Sequence, residues 1–365
     1  MSSQKYLLDS HIHLFRTEDL SNLAWMTPEN PLNSQHSIHE YLSTHVHNPT
    51  ARKPLGFIFL ETDRKTNVSA TTSPGWDGPL AEFAFVYNAG AGRDPAYKAV
   101  ADKVLGIVPW GPVPGGSTAM YNYIRRLREI AGTERIDLLK GFRYLVQFCP
   151  QGVILDDAFV DSLRWMGQQS YVFELTVDCR SVGLWQLEEA AEMIKKAHKD
   201  VPEEKRVRII IDHLAKPDLR VAPKDIPTNQ FFLTWKSHLL SIHNDQTYIK
   251  LSGCFSELPP EVLIQQAGQD REQYLLSIQE YVQPWIQAAL EIFSTKLVLW
   301  GSDWPVCTIN GGKERAWALW VEITERVFMS LKMSEEERED VWWRNSAKVY
   351  GVSQAEVKKD VASKI

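Results

Sequence analysis

Short apolar runs recur along this chain, and nearly every one ends on or carries a polar or ionisable residue. In order they cover residues 6–8, running into Asp9-Ser10-His11-Ile12-His13, then 56–60 before Glu61, and 104–110. Next come 138–145 with Arg143, 171–177 with Glu174, and 207–211 before Asp212-His213. The last two are 248–253 with Lys250, and 296–301 before Ser302-Asp303. Between and after them, helical patterns are expected at 81–89, 94–102, 119–130, 158–168, 187–197, 231–243, 278–293 (broken near Pro284), 316–331 and 335–349. Strands alternating with helices imply a parallel sheet. About eight such units fit an α/β fold of the (β/α)₈ TIM-barrel type, whose active site lies at the C-terminal ends of the strands. Polar residues gathered at one end of apolar strands are what such a mouth requires. The expectation is one domain over residues 1–365, with long loops after the first and second strands.

Composition narrows the partners. With 40 Lys and Arg against 46 Asp and Glu, the net charge is −6, and no long basic block occurs. That argues against nucleic acid or an anionic membrane and leaves a small molecule as the partner. Hydrophobic residues make up 44% of the chain, enough for a large core. Four cysteines, Cys149, Cys179, Cys254 and Cys307, lie far apart with no Cys-x-x-Cys pair, which fits a reducing compartment. No leader-like apolar stretch opens the chain, and no run approaches the ~20 residues of a membrane span. A cytoplasmic location is expected. The ending Ser363-Lys364-Ile365 is near the peroxisomal Ser-Lys-Leu address, or is a chance polar tail. Nothing in the sequence sets an oligomeric state.

The chemistry concentrates in a few residues. Side chains two apart on a strand share a face, so His11 and His13 can grip one cation or one oxyanion. Asp303 follows an apolar strand and can take a proton from water. A metal on His11 and His13 with Glu61 or Asp303 would bring bound water towards a pKa of ~7. Without metal, the histidines and Arg143 would polarise a carbonyl while Asp303 activates water. His213 ends the sixth strand as a further site candidate or a core histidine. Arg143 either grips an anionic group or pairs with Glu174, and Lys250 either binds substrate or pairs with a nearby carboxylate. Tyr144 and Trp304 line a sugar pocket or simply pack. His36, His39, His45 and His47 form a second metal cluster or, the reading preferred, a loop and short helix (37–44) with solvated histidines.

Five stretches together resemble a known family: Asp9-Ser10-His11-Ile12-His13, Gly141-Phe142-Arg143-Tyr144-Leu145, Ile211-Asp212-His213 with Lys216-Pro217, Lys250-Leu251-Ser252-Gly253, and Gly301-Ser302-Asp303-Trp304-Pro305-Val306-Cys307. They are similar to the amidohydrolase superfamily, in its sugar-lactonase branch, and the ending Asn345-Ser346-Ala347-Lys348-Val349-Tyr350 fits too. Leu23-Ala24-Trp25, Gln35-His36-Ser37 and Phe59-Leu60-Glu61-Thr62-Asp63-Arg64 resemble the fungal L-rhamnono-1,4-lactonase type. The resemblance implies a TIM-barrel hydrolase that opens an aldonolactone, L-rhamnono-1,4-lactone first, in deoxy-sugar breakdown. Asp303 would activate water, with His11, His13, and His213 or Arg143 stabilising the oxyanion. It implies either one divalent ion, zinc before others, or none. The binuclear pattern of the superfamily has a carboxylated lysine on the fourth strand and a histidine on the fifth. This chain has Arg143 and Glu174 there, so a two-metal centre is not expected. Two rival readings remain open: a metal-dependent decarboxylase of an aromatic or unsaturated acid, and a non-catalytic barrel that binds a sugar acid or a partner.

Overall fold

The computed structural model describes residues 4–66, 75–132 and 135–353. Eight parallel strands carry the fold: β1 (Tyr6–Ile12), β2 (Lys53–Leu60), β3 (Val104–Val108), β4 (Gly141–Tyr144), β5 (Val172–Leu175), β6 (Arg208–Ile211), β7 (Thr247–Leu251) and β8 (Val298–Trp300). Hydrogen bonding orders them β1-β2-β3 and β4-β5-β6-β7-β8. Isolated parallel bridges join the two sheets into a barrel, Ile107 to Leu139 and Trp110 to Arg143 on one side and Ile12 to Trp304 on the other. Helices such as Gly116–Ala131, Asp157–Gln168, Trp185–His198 and Gln230–Ile242 cross between strands.

The period of two along each strand builds two cores. Phe173, Ile209, Ile211, Ile249, Val298 and Trp300 point outwards into the main core with the helices. Val172, Ile210, Tyr248 and Leu299 belong to a separate core with Ala347, Val349, Tyr350 and Val352, so the last described turn plugs the base of the barrel. Two residues further along the inward rows stand Glu174, Asp212 and Lys250, all without solvent exposure. The interior therefore changes from apolar at its base to charged at mid-height before it opens at the mouth.

Some expected elements differ. The stretch 94–102 is not an α-helix but a turn at 94–97 followed by a 3₁₀ segment at Lys98–Lys103, because the Asp94 side chain takes the Ala96 N–H at 2.9 Å and holds a local turn instead. The helix Arg271–Phe293 runs unbroken through Pro284. Its buried residues Ile278, Val282, Trp285, Ile286 and Ala289 outweigh the one lost backbone donor. The last helix contains a π turn at Asp340–Arg344. Of the four loop histidines, His39 and His47 are exposed, but His36 is buried and His45 packs on Tyr41 and Trp317. None of them joins a candidate metal group among the described residues. No helix among the described residues is long and apolar enough to cross a membrane. The tripeptide Ser363-Lys364-Ile365 and residues 71–74 of the Ser- and Thr-rich stretch at 71–79 lie outside the described residues, and 77–79 open the helix Asp77–Gly90.

Candidate active site

Closure of the barrel brings the site together. The Asp303 N–H donates to the His11 carbonyl at 2.9 Å, and the His13 N–H donates to the Trp304 carbonyl at 2.7 Å. Behind them, buried Asp9 accepts from the Ser302 N–H (2.8 Å), the Tyr41 hydroxyl (2.9 Å) and the Trp317 indole (3.1 Å). Asp9 thus ties the first strand to the segment after the last one, and to two helices.

Three imidazoles converge on one oxygen. Asp303 Oδ1 lies 3.3 Å from His13 Nε2, 3.6 Å from His11 Nε2 and 4.0 Å from His213 Nε2. It is buried, yet no donor meets it with good hydrogen-bond geometry. His13 Nδ1 lies 3.0 Å from the Leu60 carbonyl, which can only accept, so Nδ1 is the donor there and Nε2 is turned to Asp303 and His11 Nε2. Three imidazole nitrogens turned to one carboxylate oxygen at these distances leave room for a cation among them. Burial pushes His213 down to about 4, partly opposed by Asp303 and Asp212, and burial with the Lys250 charge pushes His11 well below its ordinary range. Burial opposes ionisation of Asp303, but the surrounding imidazoles, His213 first, outweigh it and hold the carboxyl below its usual range. His11 and His213 are therefore neutral at pH 7, and with the Asp303 carboxylate and His13 they make a mixed oxygen and nitrogen donor set that suits zinc. His11, His213 and Asp303 form one candidate metal group among the described residues, and His11, Glu174 and Asp212 form another.

The charged layer beneath corrects several expectations. Arg143 pairs with Glu61, not Glu174: its Nε donates to Glu61 Oε1 at 2.7 Å and its Nη2 to the Glu61 carbonyl. Glu61 Oε2 accepts the Asp63 N–H at 2.6 Å, so Glu61 is occupied on both oxygens and stands apart from both metal groups. Glu174 instead accepts from Lys250 Nζ at 2.7 Å and from the Tyr350 hydroxyl. Lys250 also reaches His11 Nδ1 (3.2 Å) and Asp212 Oδ1 (3.4 Å). It is fully buried and props the first histidine from below; it does not face a ligand. The stagger between strands sets these pairings.

Above this layer opens a cleft of about 310 Å³. His13, Arg143, His213 and Asp303 line it, with Trp25 and Phe148 as its aromatic surfaces. Tyr144 and Trp304 do not. Alternation sends Tyr144 outwards onto Trp110 and Phe159, and Trp304 packs on Tyr41 and His36. Sequence reasoning assigned no role to Thr176, Gln147, Ser256 or Glu257, which also line the cleft. Thr176 continues the inward row of Glu174, a signal readable in advance; the other three sit on short helical turns after strands, Gln147 in Val146–Phe148 and Ser256 and Glu257 in Cys254–Glu257.

His213 enters on an unusual turn. His213, Leu214, Ala215 and Lys216 all have positive φ, at 53°, 55°, 62° and 46°. Left-handed backbone costs a non-glycine residue roughly 1–2 kcal/mol. The turn is held by its carbonyls: the Trp235 indole donates to Leu214 O (2.9 Å), the Cys179 N–H to Ala215 O (3.2 Å) and the Arg180 N–H to Lys216 O (3.1 Å). Gly253 lies against the histidine, where an added Cβ would come within 2.6 Å of His213 Nδ1.

A closed parallel barrel with a histidine and aspartate centre at its C-terminal mouth defines an amidohydrolase-type site. A family model described as amidohydrolase matches residues 180–352. An L-rhamnono-gamma-lactonase from Scheffersomyces stipitis is 31% identical over 359 residues, covering 96% of this chain and 100% of that protein. An L-fucono-1,5-lactonase from Burkholderia multivorans is 23% identical over 255 residues, 68% of this chain and 72% of that one. In structure, an amidohydrolase from Burkholderia multivorans with bound zinc aligns at a TM-score of 0.68 and 19% identity, over 95% of this chain and 100% of that chain. A dihydroxybenzoic acid decarboxylase from Polaromonas shares the fold at a TM-score of 0.55 and 11% identity, over 97% and 98%. The chain belongs to the amidohydrolase family and is a hydrolase.

Proposed function

We propose that this hydrolase opens a sugar lactone to its free acid, with L-rhamnono-1,4-lactone as the first substrate to test. The observation that carries the chemistry is Asp303 Oδ1, ionised, buried and ringed by three imidazole nitrogens at the floor of an open cleft. The full-length relative named for L-rhamnono-gamma-lactone supports the substrate class. Both kinds of surface a 6-deoxy sugar presents find partners here: Trp25, Phe148, Leu145 and Val306 for its methyl group and carbon faces, Gln147, Thr176 and Ser256 for its hydroxyls.

In the proposed reaction Asp303 takes a proton from a water, and the water oxygen attacks the lactone carbonyl. Arg143, fixed by Glu61, lines the cleft and would donate to the oxyanion, and His213 would add a second polar contact. His11, His13, His213 and Asp303 would hold one divalent ion, zinc by their donor chemistry, and such an ion supplies a Lewis acid and lowers the pKa of bound water.

The test is lactone hydrolysis followed by acid release, on L-rhamnono-, L-fucono-, L-arabinono- and D-galactono-lactones, with and without chelator and added zinc. Turnover is expected, and Asp303→Asn should lower it by about 10³-fold or more while the protein stays folded. Loss with chelator and recovery with zinc would assign the metal. No hydrolysis of any lactone with zinc present would sink this reading, and release of carbon dioxide from an aromatic acid would replace it.

A further inference from the structure

A strand-end histidine needs no left-handed turn to reach a barrel mouth; His13 and Thr176 reach the same cleft without one. Three further left-handed residues follow His213, and their effect is to bring Lys216 to the same cleft. The Lys216 ammonium has a neutral anchor: its Nζ donates to Gln147 Oε1 at 2.8 Å. Among the described residues no carboxylate forms an ion pair with it, and the nearest candidate, Glu257, is held by Arg180 at 2.6 Å. An ammonium has three N–H groups, so two remain for a ligand. Lys216 lines the cleft together with His213, Asp303 and Arg143, which places its ammonium beside the reacting centre.

We infer that Lys216 is a catalytic residue that touches the substrate: its ammonium donates a hydrogen bond to the lactone ring oxygen and stabilises the charge gathering there as the ring opens. This rests on the lactone-opening reading above. The water oxygen forms the new bond to the carbonyl carbon. The ring C–O bond breaks, and its electron pair stays on the ring oxygen. The proton Asp303 took from the water ends on that oxygen, which becomes the free hydroxyl of the acid.

The experiment compares Lys216→Met and Lys216→Arg with the unaltered protein on two lactones. One is L-rhamnono-1,4-lactone, whose leaving group is an alkoxide. The other is dihydrocoumarin, whose leaving group is a phenoxide that needs little stabilisation. Lys216→Met is expected to lower kcat on the sugar lactone by about 10²-fold, the usual effect of one lost donor, with KM within about 3-fold. On dihydrocoumarin the loss should stay within about 3-fold, and Lys216→Arg should recover much of the sugar-lactone rate. Equal losses on both lactones, a change in KM alone, or full activity in Lys216→Met would overturn the assignment. Where dihydrocoumarin is not accepted, the kcat against KM split and the arginine recovery decide it. If Lys216→Met does not fold, Lys216→Gln takes its place. Absence of sugar-lactone turnover in the unaltered protein is a different result, and refutes the lactone reading itself.

Discussion

A buried carboxylate is defined by its neighbours. Asp303 is kept ionised by imidazoles, whereas Asp9, which takes four hydrogen bonds, still has its carboxyl raised because burial dominates. Asp19 is a third case. Burial opposes its charge, but hydrogen bonds and charge from Arg64 and Arg16 prevail and bring it to about 2 from 3.8. A carboxyl depressed in the fold stabilises the protein above its unfolded pKa, and that stabilisation drains away as pH falls through the folded value. Asp19 should therefore contribute roughly 2 kcal/mol at neutral pH, lost progressively between about pH 5 and pH 2. Urea midpoints across that range should fall more steeply for the unaltered protein than for Asp19→Asn; parallel curves would refute the assignment. At this scale the sequence was partly readable. His11, His13, His213 and Asp303 each stand out as ionisable residues at strand ends, and the structure brings all of them to one point. The partners of Arg143 and Lys250 did not stand out, because pairing across a barrel depends on stagger, which no single strand encodes.

Among the elements, the left-handed turn is the least foreseeable. Left-handed backbone is normally signalled by glycine or asparagine. Here the four residues are His213, Leu214, Ala215 and Lys216, and only tertiary contacts account for their conformation. Trp235, fully buried on the helix Gln230–Ile242, supplies one of those contacts. Replacing it by phenylalanine keeps an aromatic ring but strands the Leu214 carbonyl. Trp235→Phe should cost about 1–3 kcal/mol in unfolding free energy and also lower kcat, since His213 and Lys216 share the turn. A stability loss with unchanged kcat would show that the turn tolerates the missing bond. Strands were easier to foresee than this turn because a run of β-branched residues such as Ile209-Ile210-Ile211 has few alternatives when buried on both faces. Even there, reading the alternation strictly would have sent Tyr144 outwards, away from the cleft that Arg143 lines.

For the molecule as a whole, the strand–helix count made the barrel legible, and the plug at its base was not. Val349 reads as the end of a helix, with Tyr350 and Val352 just past it; only the closed barrel gives them an apolar floor to fill. Tyr350 links that floor to the site through Glu174 and Lys250. A ligand that binds only the folded chain stabilises it as a unit, by about 2.7 kcal/mol at one hundred times its Kd. Chelator-treated protein should therefore melt several degrees higher once zinc is restored, and Asp303→Asn should show little of that rise. Identical melting curves with and without zinc would mean that the three imidazoles hold no ion.

Among the described residues, strand pairing between the two sheets is limited to isolated bridges, and the histidine pair comes from the smaller sheet while Asp303 and His213 come with the larger. A cut made between β3 and β4 would leave each fragment with an incomplete set of donors. Fused to two proteins of interest, such halves would be silent apart and would turn over substrate only on meeting, which makes the seam a natural place to build a proximity sensor.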